Sequence, residues 1–517
     1  MDERTPSLLV HEGEEFRLEK LPLGSRVIYP PESLPGLGNV DEHIDRALAN
    51  PIGRPPLGEL LFSGMRLTIV FDDLSLPLPP MQTPDIRQRI IERVLELAAA
   101  KGVDDVELIA ANALRRRMTP AELRRVVGDR VFQSFFPAGR LRNHDAEDRD
   151  NLVELGRTRQ DETVEINRRA AESDLIVYVN LMLTAMSCGP KSVSVGLGSY
   201  RSLRHRHTVE ALRHSRSFSD LPDSALDHPC HRMAALFAES VEVFQIETTV
   251  NNNTFPKPLD FLNKREWEWT LKDQASFLAA RRANTLLPPA QRRQLWHRMT
   301  SPYGITSVTA GAPEEVHPIT LGHVLRQQLT EVDGPSDVAI WGLPSFGPHN
   351  VNSIMNPVLV MSLGLGHFFN LHRGRPIVRP GGVAIFVNPV RNQFHPVHHP
   401  SYLDFFEEVL TETIDPVAIE AKFEERFATD PWYIHLYRNS NAYHGAHPLH
   451  LWYGGAHALE HVGEVIFVGG DRGVTRRMGF RAASTLADAL EMARDRVGSS
   501  PSITYQHTPP LAVADVR

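Results

Sequence analysis

The chain has 517 residues, enough for two or more domains, and its 42% hydrophobic and 23% charged residues are the ordinary balance of a globular protein. A formal net charge of −8 gives no basic footprint for nucleic acid, and no apolar run reaches the roughly 18 residues of a membrane span. The polar start "MDERTPSLLVHEGEEF" lacks the layout of a signal peptide, and two cysteines, Cys188 and Cys230, do not make a disulfide framework. Together these features predict a cytoplasmic protein, in which 24 His and 39 Pro stand out.

Residues 1–60 alternate short apolar runs with Pro and Gly, and "DEHIDRALANPIGRPPLGELL" reads as a helix, a break and a second short helix. "MRLTIVFDD" is a buried strand ending in Asp72 and Asp73. "TPDIRQRIIERVLELAAAKGV" has helical apolar spacing, with Thr83 and Pro84 at its start and Gly102 at its end. Strand "VELIAAN", helix "TPAELRRVVGD" and strand "DLIVYVNLML" follow. From 256 to 305 the pattern is helical and rich in Trp and Arg. A second alternation then begins with "SDVAIWG", helix-like "NPVLVMSLGLGHFFNLH" and "RPGGVAIFVNP", and continues through "SYLDFFEEVLTET", "GEVIFVGG" and "STLADALEMARDRVG". Alternating strands and helices predict an α/β fold with mainly parallel sheets, divided into domains at 1–305 and 306–517. No internal repeat is visible.

Ligands of such sheets sit beyond the carboxyl ends of the strands, which singles out the loops 72–79, 112–118 and 180–191. The third holds Lys191 in "SCGPKS". This is not a phosphate loop, because Pro190 separates Gly189 from the lysine and the upstream glycine is missing. A loop lysine is most often a solvated charge; at a strand end it is also placed to meet a ligand. Downstream, "RSLRHRHT" gathers Arg201, Arg204 and Arg206 around His205 and His207. That is either a solvated face or a metal-binding imidazole with cations to offset a nucleotide phosphate. "YHGAHPLHLWYGGAHALEH" spaces His444, His447 and His450 three apart, and His457 and His461 four apart. Histidines four apart on a helix can share a metal, although "HALEH" lacks the Glu that metalloproteases place beside the first His, and surface residues are the plainer reading. Asp72 and Asp73 are paired acids able to hold a hydroxyl or a cation, or to cap a turn.

In this order, "ALANPIGRPPLGEL", "TIVFDDLSLPLP", "NHDAEDRDNLVELG", "INRRAAESDLIVYV" and the Lys191–His207 segment resemble the nickel-dependent lactate racemase family, racemases and epimerases of 2-hydroxy acids. The resemblance covers most of residues 10–255 and continues through "GPHNVNSIMNPVL", "VRPGGVAIFVNP", "WYGGAHAL" and "RRMGFRAASTLADALEMA". It implies two α/β domains with the active site in the cleft between them. It also implies a nickel-pincer nucleotide, a pyridinium mononucleotide carrying two sulfur groups, tethered to a lysine as a thioamide and supplied by cofactor-synthesis enzymes. The family lysine falls on Lys191 and the nickel histidine on His207, sixteen residues later. Asp72, Gly189, Ser192 and Arg204 are the accompanying cofactor-side candidates. The family chemistry passes the carbinol hydrogen to the cofactor as hydride and returns it to either face, which needs a base for the hydroxyl proton on each face.

The chain departs from the family where lactate is handled. Arg115 and Leu181 stand at the two catalytic histidines, Leu76 at the carboxylate-gripping arginine, and Ile354, Met355 and Val358 at the Tyr-Gln and Lys cluster. Arg stays charged and Leu does not titrate, so neither is a base. Re-sited catalytic groups are therefore expected: Asp73, Arg115 for an anionic group, and His349, with His205 and the histidines of 444–461 as further proton carriers. Leu76, Leu181, Ile354 and Met355 predict a more apolar pocket and a substrate other than lactate. The competing readings are a family fold without pincer chemistry that binds a small molecule, and a hydrolase or lyase with another metal at the His-rich C-terminal segment.

Overall fold

Two six-stranded sheets organise the described residues. The computed structural model describes residues 1–184, 191–215, 217 and 224–517, with only the backbone of Lys191 and Ser192; Cys188 and Gly189 lie outside the described residues. In the first sheet Arg66–Asp72 lies between Leu175–Met182 and Asp105–Ala111, with Leu141–Asn143 outside the latter, all parallel. Glu242–Val250 extends the other side in parallel, and Ile305–Gly311 closes that edge antiparallel. Every residue of Leu175–Met182 is buried, as a parallel strand covered on both faces requires.

The second sheet is parallel throughout. Val378–Val387 and Ser336–Gly342 form its centre, Glu464–Val468 and Arg481–Ala483 one flank, and Ile503–Gln506 and Arg26–Ile28 the other. A three-stranded parallel sheet and two hairpins complete the strand set. The architecture is thus the mainly parallel α/β arrangement that the alternating pattern predicts. The two sheets do not follow a single cut at 305/306: Ile305–Gly311 pairs in the first, whereas Arg26–Ile28 pairs in the second. Leu8 and Val10 of the first hairpin also pack with Val338 and Ile340 of the second sheet.

The helices follow their caps. Ile86–Ala100 starts at Asp85, one residue beyond the Thr83–Pro84 signal, because the Asp85 carboxylate accepts from the Arg87 amide and also holds its guanidinium. Thr485 and Asp488 form a capping box at the head of Leu486–Val497. The helix-like run at 356–372 is α-helical only over Pro357–Met361; Ser362–Phe368 is a π-helix, a rare turn often found at functional sites. No helix among the described residues is long and apolar enough to cross a membrane.

Candidate active site

A cavity of about 180 Å³ opens between the two halves. Arg115, Arg206 and His207 line one side; His349, His367, His447 and His450 line the other. The first group comes from loops beyond the first sheet, the 112–118 loop among them. The second group comes from the turn before Pro357–Met361, from the π-helix and from helix His447–Tyr453.

His207 ends a turn that follows the short helix Tyr200–Leu203. Its Nδ1 donates to the Leu203 carbonyl at 2.9 Å, which leaves the lone pair on Nε2. Its ring lies over His450 at 4.8 Å between centroids and 5° between planes. Burial holds the imidazole well below its ordinary pKa, helped by His450 and Arg206, so the ring is neutral, the state a metal requires.

Arg115 reaches the cavity through an ion pair with Asp73, Nε to Oδ2 at 2.7 Å and Nη2 to Oδ1 at 3.3 Å. Asp73 also accepts from the Ser75 amide at 2.9 Å and from its hydroxyl. Burial raises the Asp73 carboxyl, but Arg115 and Ser75 outweigh it and the group lies below the usual range. Asp73 therefore holds Arg115 in place rather than lining the cavity itself. Asp72 points back into the sheet, accepting from the Leu181 amide at 2.8 Å, Tyr178 at 3.2 Å and Asn180 at 3.3 Å. Burial pushes Asp72 up to about 6. Arg204 pairs with Glu425 at 3.1 Å and lies over the Tyr200 ring, outside the cavity lining. The arginine that lines the cavity is Arg206, whose Nε is buried without a hydrogen-bond partner.

The opposite wall is a histidine cluster. His349 lies 5.0 Å from His367 and 5.5 Å from His447 between ring centroids. Its Nδ1 is buried without a partner. Burial keeps both His349 and His447 neutral, with Arg115 adding to the effect. The Tyr402 hydroxyl and His447 Nδ1 are 2.6 Å apart, and burial drives the Tyr402 pKa far upward, so the phenol keeps its proton. His349 sits just before Val351 and Asn352, both in the left-handed region at φ 39° and 55°. Arg116 holds this turn by donating to the Val351 carbonyl at 3.0 Å. Such strain persists only where the surroundings over-determine it.

Other expected groups point elsewhere. His205 accepts from the Thr163 amide, His444 bonds Glu147 and His461 bonds the Val378 carbonyl. His457 lies outside the cavity lining. Among the described residues no group of three or more His, Cys, Asp or Glu is arranged to hold a metal, so a C-terminal metal centre finds no support there. Leu76, Leu181, Ile354 and Met355 do not share one pocket. Leu76 lines a separate apolar cavity, Leu181 is fully buried in the first core, and Ile354 and Met355 line a third space with Glu14 and Arg391. Val358 is also core. His367 and Arg206 are the cavity residues that the sequence reading did not single out as catalytic. Nothing in "GLGHFF" signals the π-turn that carries His367. The side chains of Lys191 and Ser192 lie outside the described residues. The helix that Lys191 opens, Lys191–Gly196, reaches the cavity wall at Val195, and its Gly196 carbonyl accepts from the Ala113 amide at 3.1 Å.

Residues 14–220 match the lactate racemase N-terminal domain. The lactate racemase of Lactiplantibacillus plantarum is 25% identical over 173 residues, 33% of this chain and 38% of that protein. The lactate racemase of Thermoanaerobacterium thermosaccharolyticum is 23% identical over 196 residues, 37% of this chain and 43% of its own length. The matched segments thus span less than half of these curated relatives. The fold is shared along the whole chain with the lactate racemase apoprotein from T. thermosaccharolyticum, at a TM-score of 0.66 and 17% identity over 99% of this chain and all of that one. A Thermotoga maritima protein is similar at a TM-score of 0.54 and 13% identity, covering 92% and 98% of the two chains. The N-terminal sequence match and the two-sheet frame agree: residues 14–220 are similar to the lactate racemase N-terminal domain, and the chain shares the fold of the lactate racemase apoprotein along its length.

Proposed function

We propose that the chain is a racemase or epimerase of a 2-hydroxy acid other than lactate, dependent on a nickel-pincer nucleotide held by Lys191 and His207. The observation that carries this reading is the His207 imidazole, which lines the cavity between the two halves with its Nδ1 proton engaged, leaving the lone pair on Nε2. A nickel whose remaining donors belong to the nucleotide needs one such nitrogen. Lys191 stands four residues before cavity-lining Val195, on a helix pinned to the Ala113 wall. Arg206, with its unpartnered Nε, offers charge to a phosphate or carboxylate.

When bound, the nucleotide supplies the acceptor for a hydride from the carbinol carbon. His349 and His447 are the groups that take and return the hydroxyl proton. Both are neutral imidazoles on the wall facing Arg115, and they replace the bases absent at Arg115 and Leu181. Tyr402 fixes the His447 ring through Nδ1. Arg115, oriented by Asp73, places a permanent positive charge where the hydroxyl becomes a carbonyl.

The test is to produce the protein together with cofactor-synthesis enzymes, measure nickel and the mass of the peptide holding Lys191, and follow 2-hydroxy acid enantiomers by chiral chromatography. One nickel per chain, an adduct on that peptide and interconversion of a non-lactate acid are expected, with lactate a poor substrate. Protein that carries neither nickel nor adduct and interconverts nothing belongs to the alternative, a family fold without pincer chemistry.

A further inference from the structure

A second cavity, of about 80 Å³, adjoins the histidine-lined one, and His367 lines both. The π-helix Ser362–Phe368 is their common wall: Ser362 and Gly366 face the histidine cavity, Leu363 and Phe368 the second. The chain at 346–349 runs along both as well, with Phe346 on the second cavity and His349 on the first. Leu76 and Leu78 enter from the loop after Arg66–Asp72, at the carboxyl edge of the first sheet where open α/β folds bind ligands.

The second cavity is apolar in a specific way. Among the described residues none that lines it is Asp, Glu, Lys or Arg, and burial keeps His367 neutral. Three polar side chains on its wall, Asn251, Thr254 and Tyr303, are turned to the backbone. Asn251 donates to the Leu34 carbonyl and accepts from the Gly304 amide; Thr254 donates to the Asn252 carbonyl and Tyr303 to the Leu78 carbonyl. A ligand hydroxyl placed there would lose its water without gaining these partners, and a charged group would lose more. A methyl group would leave most of the space without contacts.

We infer that this second cavity seats the substrate's side chain, and that the substrate is a 2-hydroxy acid whose chain beyond the carbinol carbon is branched aliphatic or aromatic. The carbinol lies in the histidine cavity, and the side chain passes His367 into the apolar space. The 2-hydroxy acid head rests on the racemase reading; the choice of side chain rests on the second cavity alone. Polyhydroxylated acids are disfavoured by the same wall.

Titration calorimetry on the full chain tests this with 2-hydroxy-4-methylpentanoate, lactate and 2,3,4-trihydroxybutanoate. The branched acid is expected to bind about 10- to 50-fold tighter than lactate, from burial of its extra carbons. The trihydroxy acid is expected to bind no tighter than lactate. Leu511→Trp, at a half-buried lining position, fills the cavity and brings the ratio of branched acid to lactate toward one. Leu78→Trp serves the same purpose should the first variant not fold. Equal affinities in the native protein, or an unchanged ratio in both folded variants, overturn the inference. A loaded enzyme that binds the branched acid tightly but never interconverts its enantiomers overturns the racemase reading and leaves the cavity assignment standing.

Discussion

Arg115 grips a fully buried carboxylate, Asp73, through two nitrogens, Nε at 2.7 Å and Nη2 at 3.3 Å. Removing one partner of such a pair strands the other. Arg115→Met is expected to lower stability by about 3–5 kcal/mol, read as a fall in the urea midpoint. Asp73 is held below its ordinary value in the folded state, so its contribution is complete above the unfolded pKa of about 4 and fades as pH falls through the lower folded value. Asp73→Asn should therefore lose stability at neutral pH and show a flatter decline in acid than the native protein.

The proposed cofactor makes different predictions for its two protein attachments. His207→Ala is expected to lose nickel while the fold survives, because the Leu203 carbonyl that its Nδ1 engages also accepts from the Arg206 amide at 3.2 Å. Lys191→Ala should carry neither adduct nor nickel. Elemental analysis with intact mass checks both; full nickel and full activity in both variants would falsify the cofactor assignment.

Proton transfer is expected to show in kcat. His447→Phe should lower it by about 10²- to 10⁴-fold with substrate binding little changed. Tyr402→Phe leaves His447 Nδ1 buried without its partner, for about 1–3 kcal/mol of stability and a smaller kinetic loss. Steady-state kinetics from either enantiomer read the effect, and His447→Phe at native kcat would remove His447 from the mechanism.

Arg116 braces the turn that carries His349. Its guanidinium donates to the Val351 carbonyl and to both oxygens of Glu122, at 3.0 Å and 2.6 Å. Arg116→Met should cost about 3–5 kcal/mol, since it leaves Glu122 largely buried and unpaired. Hydrogen exchange across 349–353 should quicken; protection equal to the native protein there would show that the turn is held by other contacts.

The central strands were legible because fully buried parallel strands read as continuous apolar runs, as in "TIVF" and "LIVYV". Arg26–Ile28 was not, being three residues beside prolines whose partner strand lies more than 470 residues away. His207 and His349, singled out from an ordered set of motifs, both line the histidine cavity. That Asp73 answers Arg115 was not, since 42 residues separate them and only the loop geometry joins them. The apolar set of Leu76, Leu181, Ile354 and Met355 dispersed because residue type reports neither which face of a strand a side chain takes nor which cavity it meets.

Arg26–Ile28 is one of the two outer strands of the second sheet, and Ile305–Gly311 is one of the two outer strands of the first. A truncation at 305 would strip one half of an edge and leave the other with a foreign ribbon. Neither lobe can then be traded as a cassette, and grafting the C-terminal half of a relative onto this one requires moving residues 8–28 along with it.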